Sequence, residues 1–132
     1  LSNLLIEPNL TDWKDYLVKT QIRGLYVIPR GIVPPNPSEL LNSENAKRLA
    51  EKFREKFDYV ILDGVPVNGL PDSLIMAGIA DRVVIVSSVG LTNIDELNKA
   101  KKALENVDAK IAGVVVNRTP ITKRGKYSNY YE

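Results

Sequence analysis

The sequence contains no cysteine and no histidine in 132 residues. Without cysteine there is no disulfide and no thiolate zinc site, and without histidine the commonest general base and metal ligand is gone. Chemistry must therefore rest on carboxylates, amides, hydroxyls and cations. No uninterrupted apolar stretch approaches the roughly 20 residues of a membrane span. The formal charge of +2, from 18 Lys and Arg against 16 Asp and Glu, is too small to argue for nucleic acid. A soluble, cytosolic chain of one domain, or most of one, is expected. Leu1 stands where a start methionine would, with no basic, apolar leader, so it is read as a boundary within a longer protein. Also missing is G-x-x-x-x-G-K-[ST], the loop whose backbone cradles phosphates. The one Gly-Lys pair, Gly125-Lys126, is followed by Tyr127, and Pro120 occupies the place of the first glycine.

What is present is an alternation of strand and helix patterns with short breaks, which is how a parallel α/β sheet flanked by helices reads. Strands are expected at Leu25–Ile28, Tyr59–Leu62, Arg82–Ser87 and Ile111–Val116. Three of these are almost continuously apolar and rich in Val and Ile, as strands covered on both faces should be. Ala46, Leu49, Ala50, Phe53 and Phe57 share one face of a helix from Glu44 to Phe57, with Ser43 at its cap. Ile94, Leu97, Ala100, Leu104 and Val107 repeat the pattern, with Thr92 read as the cap and Asp95 and Glu96 in the first turn. Asp72 to Ala80 reads as a short packed helix after Pro71. A short helix presenting Trp13, Tyr16 and Leu17 is expected on the sheet edge. Arg30 to Pro37, with Gly31 and three prolines, must be a loop, and Ser38 reads as the cap of a turn through Leu41. From Arg118 onward the chain reads as an exposed basic tail.

Two side chains stand at carboxyl ends of strands, where open α/β sheets bind ligands. Asp63 follows Tyr59-Val60-Ile61-Leu62, in the position from which an acid meets a phosphate-bound metal ion. The plain alternative is a strand-end Asp that caps the next turn. Asn117 follows the strand Ile111–Val116, and its amide can both donate and accept, as reading an adenine edge requires. On the residues alone, an asparagine that ends a strand and starts a turn is the favoured reading. Asp72 orients a loop near the same crevice or caps the helix after Pro71. Tyr127, Tyr130 and Tyr131 lie on a basic segment without core patterning. They suit aromatic contacts with a partner or phosphorylation beside Lys123, Arg124 and Lys126, with a nucleic-acid tail a weaker third reading.

Several runs together resemble a known family. They are Gly24-Leu25-Tyr26-Val27-Ile28-Pro29, Val33-Pro34-Pro35-Asn36-Pro37-Ser38-Glu39-Leu40-Leu41, and Phe57 to Asp63 with Pro66. Asp72, Ala80 to Val86, Gly113 to Asn117 and the tyrosine tail complete the set. The chain resembles the bacterial tyrosine kinases of capsule and exopolysaccharide synthesis over nearly its whole length. The segment Pro-Pro-Asn-Pro-Ser-Glu-Leu-Leu is its most specific part. The resemblance implies a P-loop NTPase-like fold, shared with septum-positioning and partition ATPases, in which residues 1–117 form the C-terminal part of the domain and 118–132 the tail. It implies Mg²⁺ and ATP as cofactors, Asp63 as the second acidic motif at the metal, Asn117 near the adenine, and Tyr127, Tyr130 and Tyr131 as phosphoacceptors. It further implies ring-like self-association, a transmembrane activator or polysaccharide co-polymerase as partner, and a cytoplasmic site at the inner face of the membrane. The family's phosphate loop and first acidic motif have no counterpart in this sequence, so the chain alone is expected to be inactive. Gly64-Val65 departs from the usual small-residue and proline pairing before Pro66. A non-catalytic interaction module of polysaccharide export and a partition-type ATPase are the competing readings.

Overall fold

A computed structural model describes residues 1–7 and 10–120. The elements in order are α1 (Ser2–Ile6), a 3-10 helix (Leu10–Tyr16), β1 (Val18–Lys19), β2 (Tyr26–Val27), α2 (Pro37–Leu41) and α3 (Glu44–Lys56). They continue with α4 (Asp72–Ile79), β3 (Val83–Ser88), α5 (Ile94–Glu105) and β4 (Ile111–Asn117). This is an α/β chain whose longest ladder is parallel, with β3 and β4 in register from Val84 opposite Gly113 to Ser88 opposite Asn117.

Local chemistry explains most boundaries. Ser43 caps α3 by accepting from the Ala46 amide at 3.2 Å. The cap of α5 is Asn93 and not Thr92: Asn93 accepts from the Glu96 amide while Glu96 reaches back to the Asn93 amide, a capping box. Thr92 instead accepts from the Ser88 amide and closes the turn between β3 and α5. Ser38 is likewise not the cap of α2, whose first residue is Pro37 and whose capping position is Asn36. Its hydroxyl crosses to Asp72 at 2.5 Å. Asp72 in turn lies inside the first turn of α4, after Pro71.

Two apolar clusters result. In the first, Leu4 and Leu5 of α1 pack with Trp13 and with Ala46, Leu49 and Phe53 of α3. Trp13 meets Phe53 and Phe57 edge-on, with centroids 5.4 and 6.2 Å away, so the indole sits in an aromatic cage and not at a sheet edge. Asn45 of α3 donates to the carbonyls of Leu5 and Glu7, satisfying the open C-terminal end of α1. Gly31, at φ +82°, sits under α1, and a methyl there would lie 2.6 Å from Asn3 Oδ1. In the second cluster Ala77, Ile85 and Leu104 join α4, β3 and α5.

Two expected strands differ. Tyr26–Val27 pairs antiparallel with Val18–Lys19, as a hairpin turning at Ile22 to Gly24, and does not join a parallel ladder. Tyr59–Leu62 forms no strand: among the described residues no ladder partner lies beside it, and Tyr59 and Ile61 are 89% and 90% exposed. A strand is held by its neighbour's N–H and C=O groups, so an apolar run without one stays extended but unassigned. Val84, Val86 and Val115 also face out, on the side of the ladder that α5 does not cover. Tyr127, Tyr130 and Tyr131 lie outside the described residues.

Two stability outcomes follow. Leu104, 1% exposed, truncated to Ala should cost about 2–5 kcal/mol in chemical denaturation. Asn93→Ala should cost about 1 kcal/mol, and a loss indistinguishable from zero would show that the capping box contributes nothing.

Candidate functional site

The carboxyl ends of the sheet are organised by three turns. After β3, Gly90 adopts φ +75° and Ser88 accepts from the amides of Leu91 and Thr92, which turns the chain directly into α5. After β4, Asn117 accepts the Arg118 amide on its own Oδ1 at 2.8 Å, and Arg118 takes the left-handed conformation at φ +57°. The Asn117 carbonyl accepts from the Val89 amide at 3.0 Å, tying the two turns together. The turn-starting role of Asn117 is therefore real, yet it occupies only one side of the amide. The Nδ2 group donates to no described residue.

Asp63 ends the extended run Tyr59 to Leu62 and is exposed. Its carboxylate has no hydrogen bond or ion pair among the described residues, so it is not consumed in capping a turn. What holds it is the backbone that follows. Ser73, in the first turn of α4, donates from Oγ to the Val65 carbonyl at 2.5 Å. Gly64 lies so close to this hydroxyl that a methyl on it would be 2.8 Å from Ser73 Oγ. Beyond Pro66, Val67 packs against the second cluster, and Asn68 donates to the Glu96 carbonyl of α5 at 3.0 Å. The stretch just after Asp63 thus lies beside the carboxyl half of β3. There a cavity of about 290 Å³ opens between Pro66 to Asn68, Ile85, Ser87, Thr92 and Leu97.

Asn117 ends strand β4 and Asp63 ends an extended run that is no strand; each keeps a polar group unused among the described residues, and no bond joins them. Asp72 makes no capping hydrogen bond to α4; its Oδ1 accepts from Ser38. The parts the sequence reading missed are Ser73 and the partnership of Ser38 with Asp72. A Ser immediately after the Asp that opens a helix was the available signal, since a hydroxyl in a first turn has few intrahelical partners to satisfy. Which turn it reaches, 8 residues back, is set by tertiary packing.

The chain is similar to known proteins along most of its length. No family model matches the chain. It is 32% identical over 121 residues to the tyrosine-protein kinase CpsD of Streptococcus agalactiae, covering 90% of this chain and 53% of that protein. It is 37% identical over 108 residues to the tyrosine-protein kinase YwqD of Bacillus subtilis, covering 82% and 46%. Among solved structures, the kinase domain of the Escherichia coli tyrosine kinase ETK superposes with a TM-score of 0.84 at 27% identity, over 99% of this chain and 51% of that one. The chain spans about half the length of the curated relatives it matches. The chain is a homologue of these bacterial tyrosine-protein kinases, and nearly all of it superposes on half of a solved kinase domain.

Proposed function

We propose that this chain is the C-terminal part of the cytoplasmic kinase domain of an ATP-dependent protein-tyrosine autokinase that regulates polymerisation and export of a capsular or exopolysaccharide. Residues 1–117 are then part of the P-loop-type domain, and 118–132 the tail that carries the phosphoacceptors Tyr127, Tyr130 and Tyr131. The observation that carries this reading is the uncommitted carboxylate of Asp63, fixed by its turn in a chain homologous to tyrosine kinases. The unpaired apolar run at Tyr59 to Leu62 and the open face of Val84, Val86 and Val115 support it, since both suit a wider sheet.

The residues present fit a magnesium nucleotide in part. A lone exposed carboxylate such as Asp63 suits Mg²⁺, which keeps several waters and takes one or two carboxylates plus substrate phosphates. Bound Mg-ATP supplies the phosphoryl group and offsets the charge that spreads over it during transfer. Asp63 would hold the metal through its carboxylate. Asn117, with Oδ1 engaged by its own turn, keeps Nδ2 to donate to an adenine ring nitrogen. Lys123, Arg124 and Lys126 repel one another before phosphorylation and pair with phosphotyrosine after it. The loop whose amides and lysine hold the phosphates is not in this sequence. The chain alone therefore neither binds ATP tightly nor labels its own tail.

Self-association brings one copy's tail to the next copy's site, and a transmembrane activator or co-polymerase places the kinase at the inner face of the membrane. The described residues contain no helix long and apolar enough to cross it. No nucleic acid enters this scheme.

The test is phosphotyrosine formation under Mg-ATP by the protein extended through an upstream phosphate loop. Tyr127, Tyr130 and Tyr131 should label there and not in this chain alone. Asp63→Asn should lower the rate on the order of 100-fold or more. Unchanged labelling would remove Asp63 from the mechanism, and ATP turnover with no tail labelling would favour the partition-type ATPase. Normal polymer output in Asp63→Asn cells, lost on deleting the tail, would favour an interaction module.

A further inference from the structure

Gly64 and Ser73 meet at the turn that follows Asp63. Ser73 sits in the first turn of α4, half-buried, and spends its hydroxyl on the Val65 carbonyl of a turn 8 residues earlier. Gly64, between Asp63 and Val65, has no positive φ to require glycine. What it lacks is room: an added methyl would stand 2.8 Å from Ser73 Oγ and 3.7 Å from Ser73 Cβ. The oxygen is the only close atom, and it can rotate away about χ1. Rotation relieves the contact but breaks the bond to Val65. The glycine and the serine are thus coupled: a side chain at position 64 and the hydrogen bond at position 73 exclude each other.

This coupling matters because of the residue next door. Among the described residues Asp63 has no hydrogen bond or ion pair to fix its carboxylate. Its position is inherited from the backbone that follows, which is pinned at Gly64 by close approach, at Val65 by a hydrogen bond and at Pro66 by its ring. The anchor is itself braced, since the neighbouring Asp72 accepts from Ser38 of α2. We propose that Ser73 is a positioning residue for Asp63, and that Gly64 is glycine so that the Ser73 hydroxyl can hold the turn on which Asp63 stands. The consequence for catalysis rests on the kinase reading; the coupling itself does not.

A double-mutant cycle tests it. In this chain, Ser73→Ala and Gly64→Ala should each shift the backbone amide resonances of Asp63 and Val65. The amides should also exchange faster with solvent in each variant. In the Ser73→Ala background the space is free, so adding Gly64→Ala should produce little further change. Equal effects of Gly64→Ala with and without Ser73 would overturn the coupling, and Asp63 resonances that ignore Ser73→Ala would overturn the positioning role. In the extended protein, Ser73→Ala should raise the Mg²⁺ concentration needed for half-maximal labelling and lower kcat on the order of tenfold. The KM for the nucleotide should stay unchanged. A loss of the same size in all three would mean a merely structural role. If the wild-type extended protein does not label at all, the kinase reading fails while the resonances still decide the positioning of Asp63.

Discussion

Helix α4 is held from both ends, and the arrangement of the rest follows from that grip. At its start Asp72 accepts from Ser38 of α2, and Ser73 donates to the turn after Asp63. At its finish Arg54 of α3 donates to the Ile79 carbonyl at 2.6 Å and pairs with Asp81 at 3.1 Å. The exposed pair adds little by itself. The hydrogen bonds do more, because they join the aromatic cluster around Trp13 to the aliphatic cluster around Leu104, which share no residue. Without α4 the candidate acid would hang on an extended run with no neighbour. With it, the acid stands on a turn fixed to a helix whose Ala77 is buried in the second cluster.

The exposure of Tyr59, Ile61, Val84, Val86 and Val115 is the other half of the same account. Val and Ile at this density belong to strands covered on both faces. Scattered apolar residues on a surface need no explanation, but a run in strand register next to an unpaired backbone does. The chain spans about half the length of the relatives it matches.

Much of this was legible in the sequence, for reasons that can be located. Helices α3 and α5 announce themselves through apolar spacing and acids in the first turn, and the β3 and β4 runs through continuous Val and Ile. Asn117 does end β4, as its apolar run implies, whereas the run before Asp63 forms no strand. Three things were not legible. The hairpin of β1 and β2 is only two residues long in each arm, with its turn marked by Gly24 alone. The Tyr59 run has strand composition, but pairing depends on a neighbour that composition cannot supply. Ser38 and Ser73 were read, or passed over, as local capping residues, whereas their partners lie 34 and 8 residues away. Side chains that can bond locally or across the fold are decided by packing, which periodicity does not encode.

The central claim is that Asp63 is a metal-facing acid of a kinase site, held in place from α4. The most direct measurement replaces Mg²⁺ with paramagnetic Mn²⁺ in the kinase extended through its phosphate loop, with ADP bound, and follows the loss of amide signals. The account predicts that broadening centres on Asp63 and Gly64, spares the Trp13 cluster, and moves away from Asp63 in Asp63→Asn. Sharp Asp63 and Gly64 signals with the metal bound elsewhere would contradict it.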